Sequence, residues 1–540
     1  MLACNKPPGA AQRKLKDMLA IPSHSPRALK ITEAIAKFIC MDLRPYSVVE
    51  NDGFRNLVKV MEPHYVMPQR KHLAEKLIPT MYEALKEAIR IKIQAANRVA
   101  ITCDTWTSLS TQSYLTVTCH YIDTEWCLVS HVLQTTEVLT SHTATNLAGM
   151  LSGAIEEWGL TSKTPAVVTD NAANMVRAVE LMQLTHVGCF AHTLNLASQA
   201  GLKIPAVSRL LSRVRRIATF FHRSTTATHI LKEKQKMLQL PAHKLTLDVV
   251  TRWNSALDMV ERFLEQQPAI SATLLSPDVR RNERDLCSLT EEDVTTAEDL
   301  VRTLQPLKAA TQAISEDKRP TLSIITPLLA LLQDAMTPSE QDSPVVRDLK
   351  AAVKSNLRTR YGAQKGMLYG ATALDPRFKA LPSLTAEEQD EVFSRLQAEA
   401  ATAAPDANTD GETEEEEGAE ERVTSPRKCS AFESLFGQAY RAPSVHADER
   451  KTPSKRAEEE ITKYRAEPPA SLNESPLTWW RSREGELPLL ARLAGHYLCV
   501  PGTSVASERV FSTAGDIITA KRSCITPEHV NELLFLNKNL

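Results

Sequence analysis

The chain has 540 residues, 43% of them hydrophobic and 24% charged, an ordinary globular balance with room for three or four domains at about 150 residues each. Lys and Arg total 64 against 65 Asp and Glu, so no overall basic excess advertises a polyanionic partner. The ten cysteines include no Cys-x-x-Cys pair, which excludes a four-cysteine zinc module and argues against a disulfide scaffold. No apolar run reaches the roughly 18–20 residues of a membrane helix, and the first residues lack the apolar stretch of a secretory signal. A soluble protein of a reducing compartment is expected.

The neutral total hides two opposed segments. Gly201–Lys244 carries ten Lys or Arg against one acid, Glu233, whereas Ala401–Glu421 carries nine acids and no Lys or Arg. The acidic stretch repels itself and has little to bury, so residues 400–458 are expected to form a disordered linker. The basic stretch is a local patch, which is what a phosphate feels when salt screens charges beyond about 8–10 Å.

In chain order, residues 1–97 read as helices, with apolar residues at three- and four-residue spacing over Ala28–Cys40 and Gln69–Gln94. The period then shortens. Val99–Cys103, Tyr114–Ile122 and Cys127–Val138 are β-branched, alternating runs between polar turns, as in antiparallel strands. An amphipathic helix over Thr143–Trp158 is closed by Gly159; Ala166–Thr169 and His186–Cys189 read as short buried strands, each followed by a helix. Three antiparallel strands, helix, strand, helix, strand is the order of an RNase H-like domain, expected over residues 98–236. A helical insertion is expected over 237–399. Order should resume over 459–540.

Two aspartates stand out by position. Asp104 is expected to end the first strand and Asp170 a later one, which would bring both to one end of a sheet. Paired carboxylates are hard oxygen ligands for Mg²⁺, and two such ions can clamp the attacking and leaving oxygens of a phosphodiester displacement. An Asp after a strand also serves as a turn former or helix N-cap. In the basic stretch, Arg209, Arg213 and Arg216 fall on one helical face and Leu210, Val214, Ile217 and Phe221 on another, a surface suited to phosphates. Cys189 and His192 form a Cys-x-x-His pair, which alone is half a zinc site.

The words CDTWTS, SYLTVTCHYI, VVTDNAANM, GCFAHTLNLA, TRWNS, ALDPRFK and SVASERVFSTAG occur in this order from residue 103 to 515. Together they resemble the hAT transposases and the BED-finger proteins derived from them, over about Lys30 to the C-terminus. The resemblance implies an α/β fold: an RNase H-like catalytic domain split by a large all-α insertion, an N-terminal helical region, and a C-terminal hAT dimerisation region that completes the catalytic domain. It implies that Asp104, Asp170 and Glu508 are catalytic and hold Mg²⁺ or Mn²⁺. It also implies that His192 contacts the DNA backbone beside Cys189, and that Trp106, Arg252 and Trp253 serve hairpin formation on flanking DNA. Double-stranded DNA and a second copy of the chain are the implied partners, and the nucleus the implied location.

The BED finger normal in this group is absent from these residues, where only Cys4 and Cys40 precede residue 100, so zinc is not expected. That gap keeps alive an alternative, a domesticated and catalytically inactive dimeric regulator of transcription.

Overall fold

The computed structural model describes residues 20–108, 111–163, 165–280, 288–403, 452–517 and 525–540. The expected linker lies for the most part outside the described residues, and its borders are helical. One helix runs Ala386–Thr402, and another, Pro453–Ala466, starts at the N-cap Thr452 with proline at its first position. Ala457, Ile461 and Tyr464 repeat at helical spacing and bury one face of that second helix, which the composition of its polar face conceals.

One five-stranded sheet organises the larger unit. Its strands are β1 (Ala100–Thr107), β2 (Ser113–Ile122), β3 (Leu128–Glu137), β4 (Ala166–Thr169) and β5 (His186–Gly188), in spatial order β3-β2-β1-β4-β5. β1, β2 and β3 pair antiparallel, and β4 and β5 run parallel to β1. This is the mixed α/β, mostly helical arrangement anticipated from the strand and helix order. β1 is longer than expected. It continues to Thr107 because Thr105, Trp106 and Thr107 stay paired with Leu115, Tyr114 and Ser113 of β2, so Asp104 lies within the strand and not at its end.

Alternation along the strands sends side chains into two cores. Ala100, Ala166 and Val168 join one cluster, with α6 (Phe190–Leu202), α7 (Pro205–Arg223), α9 (Trp253–Leu274) and α10 (Glu291–Ile314). Ile101, Cys103 and Val167 join the other, with α1 (Pro26–Met41), α3 (Ile78–Ala95), α4 (Ala144–Glu157) and α5 (Ala173–Leu181). Between these fall α2 (Asp52–Met61) and α8 (Thr225–Met237), and after them α11 (Ile325–Ala335), α12 (Pro344–Arg358) and α13 (Lys365–Ala373). The helix expected over Gln69–Gln94 is interrupted. A wide π turn at Leu73–Leu77 precedes α3, where Pro79 has no N–H to give to the preceding turn.

The C-terminal helices α18 (Val505–Ile517) and α19 (Pro527–Asn539) belong to the same unit as the sheet, which comprises Met1–Thr372 with Gly495–Leu540. The run HVNELLFL in α19 buries Val530, Leu533, Leu534, Phe535 and Leu536 in the cluster of α1, α3 and β3. Both outer strands have their open edges covered by side chains. Asn531 and Asn539 of α19 take the β3 backbone at Thr135 and Val132 (2.8–3.2 Å), and Gln364 accepts from Gly188 N of β5 at 3.3 Å. An edge so covered offers no template for a foreign strand.

The second unit, Ala373–Ala494, is helical: α14 (Ala386–Thr402), α15 (Pro453–Ala466), α16 (Pro476–Arg483) and most of α17 (Pro488–Leu498). Tyr464, Trp479 and Trp480 stack in its core, and Trp480 donates to the carbonyl of Leu374 at 2.8 Å. Here the word ALDPRFK does structural work. Buried Asp375 and Arg377 pair through two hydrogen bonds of 2.9 and 2.7 Å, and buried Lys379 donates to the Tyr464 carbonyl at 2.6 Å.

Candidate nuclease site at the end of the parallel strands

β1 and β4 run parallel with Thr102 opposite Val168. Asp104 and Asp170 each follow that pair by two residues, which puts Asp104, inside β1, beside the point where β4 ends and Asp170 begins the turn. Asp104 is 7% exposed and accepts from Thr105 N at 2.8 Å. Asp170 turns the chain, accepting from Ala172 N at 3.0 Å. The next residue, Asn171, sits at φ 66°, in the left-handed region that asparagine tolerates. Its side-chain amide donates to the Cys189 carbonyl at 3.2 Å and to Thr193 Oγ1 at 3.4 Å, tying the Asp170 turn to the start of α6. Gly188 is required for that tie, because a Cβ there would come within 2.1 Å of Asn171 Oδ1.

Glu508 arrives from α18, nearly 340 residues after Asp170 in sequence. The segment before it is latched to the sheet unit at three points. Phe190 N donates to Gly502 O at 2.9 Å, Gly502 N to Thr321 Oγ1 at 2.8 Å, and Ser504 N to Cys189 Sγ at 3.4 Å. Ser507, fully buried, shares a hydrogen bond of 2.7 Å with Thr102, two residues before Asp104 on the same strand. Thr102 also bonds Thr118 at 2.5 Å, and Thr118 bonds His120 at 2.8 Å. A buried line of hydroxyls therefore fixes the helix bearing Glu508 against the strand bearing Asp104.

Neighbouring acids act on Asp104 and on Glu508. Asp104 is pushed up to about 8, first by burial, then by the charges of Asp170 and Glu508, against the opposing Thr105 N–H. Glu508 is also raised, by the protein packed about it and by Asp170, while Arg252 opposes. Among the described residues no three His, Cys, Asp or Glu side chains form a single metal-sized group. Three carboxylates sharing an unbalanced field are nonetheless the donor chemistry that a hard divalent cation matches.

Other expected site residues divide. His192 stands half-buried in the first turn of α6, and its imidazole is lowered by burial and by Arg360, with Asp170 opposing. Cys189 is fully buried and caps α6, its Sγ accepting from His192 N at 3.5 Å; burial pushes its thiol up to about 11. It joins α6 to the Glu508 segment. Arg252 is exposed at the N-cap of α9. Trp106, half-buried, stacks on Tyr114 at 4.8 Å and tilts against Phe511 at 5.6 Å, with its indole N–H buried and without a hydrogen-bond partner among the described residues.

Two expectations need correction. Trp253 is 2% exposed in the core, because the first turn of an amphipathic α9 points it inward; it offers no face to a base. Arg213 does not stand open to phosphates, since it pairs with Asp293 in the capping box of α10. Its neighbour Arg215 grips Asp248 through two bonds of 2.8 and 2.7 Å. Arg209 and Arg216 are exposed on α7. Arg360, which no motif marked, was missed; its signal is the lone charge it brings to His192.

Comparison with known proteins accords with this architecture. The ZBED1 RNase-like domain matches residues 102–189, the ZBED1 RNase-like helical domain residues 187–303, and the hAT family C-terminal dimerisation region residues 460–540. The chain is similar to human zinc finger BED domain-containing protein 4, 30% identical over 95% of this chain and 44% of that protein. It is also similar to the putative AC transposase of Zea mays, 25% identical over 92% of this chain and 63% of that protein. Mouse zinc finger BED domain-containing protein 6 is 25% identical over 95% of this chain and 55% of its own length. The chain thus spans about half the length of the curated relatives it matches. With matches to the RNase-like, helical and hAT dimerisation domain models in that order, it is similar to hAT transposases and BED zinc finger proteins.

Proposed function

We propose that this chain acts on double-stranded DNA in the nucleus as a hAT-type transposase, cutting phosphodiester bonds at the end of β1 and β4. The observation that carries the reading is Asp104: a carboxyl pushed up to about 8 first by burial and then by the charges of Asp170 and Glu508. Such a site is destabilised by its own charge until a cation or proton enters. Asp104, Asp170 and Glu508 would hold Mg²⁺ or Mn²⁺, which supplies Lewis-acid stabilisation of the attacking and leaving oxygens. The chain's residues would do the rest. Neutral His192 would donate to a backbone phosphate oxygen, exposed Arg252 would hold the flanking phosphate beside Glu508, and Arg209 and Arg216 would extend the contact along α7. A homodimer through the hAT region would bring two such sites to two DNA ends.

A second reading is a domesticated dimeric regulator that keeps DNA binding without cleavage. It is favoured by one observation: the three acids do not form a single metal-sized group among the described residues.

Nicking of a duplex carrying the terminal repeats of the parent element, supplied with a BED-bearing partner, separates the two. The transposase reading expects Mg²⁺- or Mn²⁺-dependent nicks that Asp104→Asn abolishes while duplex affinity stays nearly unchanged. Persistent binding with no nick under either metal leaves the regulator.

A further inference from the structure

We propose that Arg360 is a phosphate-binding residue that, with His192, forms a subsite for the DNA backbone beside the carboxylates. The inference rests on the DNA reading above and extends it to a residue outside every motif.

Arg360 follows α12 and is half-buried. Its Nε and Nη2 both donate to one acceptor, Asn356 Oδ1, at 3.3 and 3.2 Å. That acceptor is neutral. Among the described residues Arg360 forms no ion pair, whereas Arg213, Arg215, Arg377 and Arg509 each hold a carboxylate. A guanidinium has five N–H donors in a rigid fork. Asn356 engages two and orients the plane, leaving the remaining donors for a bidentate anion.

The position is fixed by the next residues. Tyr361 donates its hydroxyl to the Gly188 carbonyl at 3.2 Å and bonds Thr193 Oγ1 at 3.1 Å. Gln364 holds Gly188 N at 3.3 Å and His186 at 3.2 Å. The chain from 360 to 364 is therefore stitched to the end of β5 and the first turn of α6, the turn that carries His192. Asp170 and Arg360 both act on His192 from opposite sides in sign. An arginine held by a neutral amide, fixed beside the turn that carries His192, the histidine that also feels Asp170, is arranged to accept the backbone oxygens of a strand whose phosphodiester reaches the carboxylates.

The test uses the full chain, a 30-base-pair duplex, and EDTA to keep cleavage out of the measurement. Affinity is followed across salt concentrations by fluorescence anisotropy. Arg360→Gln should weaken binding several-fold and lower the log–log salt slope by about 0.9, the contribution of one phosphate contact. Arg360→Lys should keep the slope and lose part of the affinity, because an ammonium retains the charge without the fork. If Arg360→Gln does not fold, Arg360→Lys decides, and unchanged affinity in it overturns the proposal. An unchanged slope in folded Arg360→Gln, with salt-dependent binding by the parent chain, overturns this proposal alone. Absence of any duplex binding by the parent chain overturns it together with the DNA reading.

Discussion

Where β1 passes the end of β4, burial raises the proton affinity of Asp104 and Glu508, the charge of Asp170 adds to both, and Arg252 opposes at Glu508. Along α7, Arg213 and Arg215 each sit on a carboxylate of their own, Asp293 and Asp248. In sequence the arginines form a run of like charge, whereas the three acids stand far apart. In the fold, one set is left unbalanced and the other is neutralised by acids roughly 30 to 80 residues away in the chain. A folded protein that leaves a buried carboxylate such as Asp104 beside other acids keeps it at a cost in stability, and such costs concentrate where chemistry is done. Arginines whose charge is matched within the fold serve to join helices.

The comparison breaks most visibly if Trp253 is not core. Trp253→Ala should cost about 3–5 kcal/mol, the usual loss for a buried large aromatic, read as a lower urea midpoint. A variant of parent stability with weakened DNA binding would return Trp253 to the DNA surface.

The carboxylate end should respond with the opposite sign. Asp104 has a proton affinity raised in the fold above its ordinary value of 3.8, to about 8. Between those values the folded state holds a proton that the unfolded state has lost, so stability falls as pH rises from about 4 to 8. Asp104→Asn removes that dependence and should be more stable than the parent at pH 8 by up to a few kcal/mol, since each tenfold change in proton affinity is worth about 1.4 kcal/mol. The gain should shrink toward pH 4. Added Mg²⁺ should raise the melting temperature of the parent at pH 8 and not that of Asp104→Asn. A destabilised Asp104→Asn at pH 8 would mean that the carboxylates are compensated after all.

Much of this was legible in the residues. Period-two alternation marked β2 and β3, and short β-branched runs marked β4 and β5, because strands buried on one or both faces have little choice of side chain. The end of β1 was not legible, since Thr105, Trp106 and Thr107 are held by cross-strand pairing that a single run does not display. For the site, the words around Asp104 and Asp170 put both residues on neighbouring strands or just after them, though Asp104 lies within β1 and not at its end. The fate of Arg213 and Trp253 was hidden for another reason. Whether an arginine faces solvent or an acid 80 residues later depends on tertiary packing, which one helical face cannot reveal. Arg360 was invisible because its role comes from Asn356 and Tyr361 holding it, not from a word around it.

Arg215 and Asp248 test the neutralised side directly. The Asp248 side chain is 3% exposed and that of Arg215 37%, so Arg215→Gln strands a covered carboxylate while solvent screens part of the loss. A cost of about 1–2 kcal/mol is expected, between exposed and buried pairs. Asp248 is held below its usual value chiefly by Arg215. The stabilisation is therefore present above the unfolded carboxylate value and lost as pH falls through the lower folded one. Parent and variant should converge in acid below about pH 4. A difference that persists there would assign the cost to packing.

The smallest effect separates arginines on one helix. Arg209 is exposed on α7, whereas Arg213, one turn later, is bound to Asp293. If duplex DNA lies along this helix, Arg209→Gln should lower the log–log salt slope of binding by about 0.9, one phosphate's worth of released counterions. Stability should hardly move, because surface substitutions away from packed features stay within about 0.5 kcal/mol. Arg213→Gln should do the reverse, leaving the slope unchanged and lowering the urea midpoint, since it releases Asp293 from a partner that also joins α7 to α10. Asp293 keeps its capping bonds to Thr290, which limits the loss. Equal slopes for both variants and the parent would mean that α7 faces no phosphate. A slope lowered by Arg213→Gln would mean that DNA displaces Asp293 from its arginine, and the distinction between matched and unmatched charge would then hold only for the free protein.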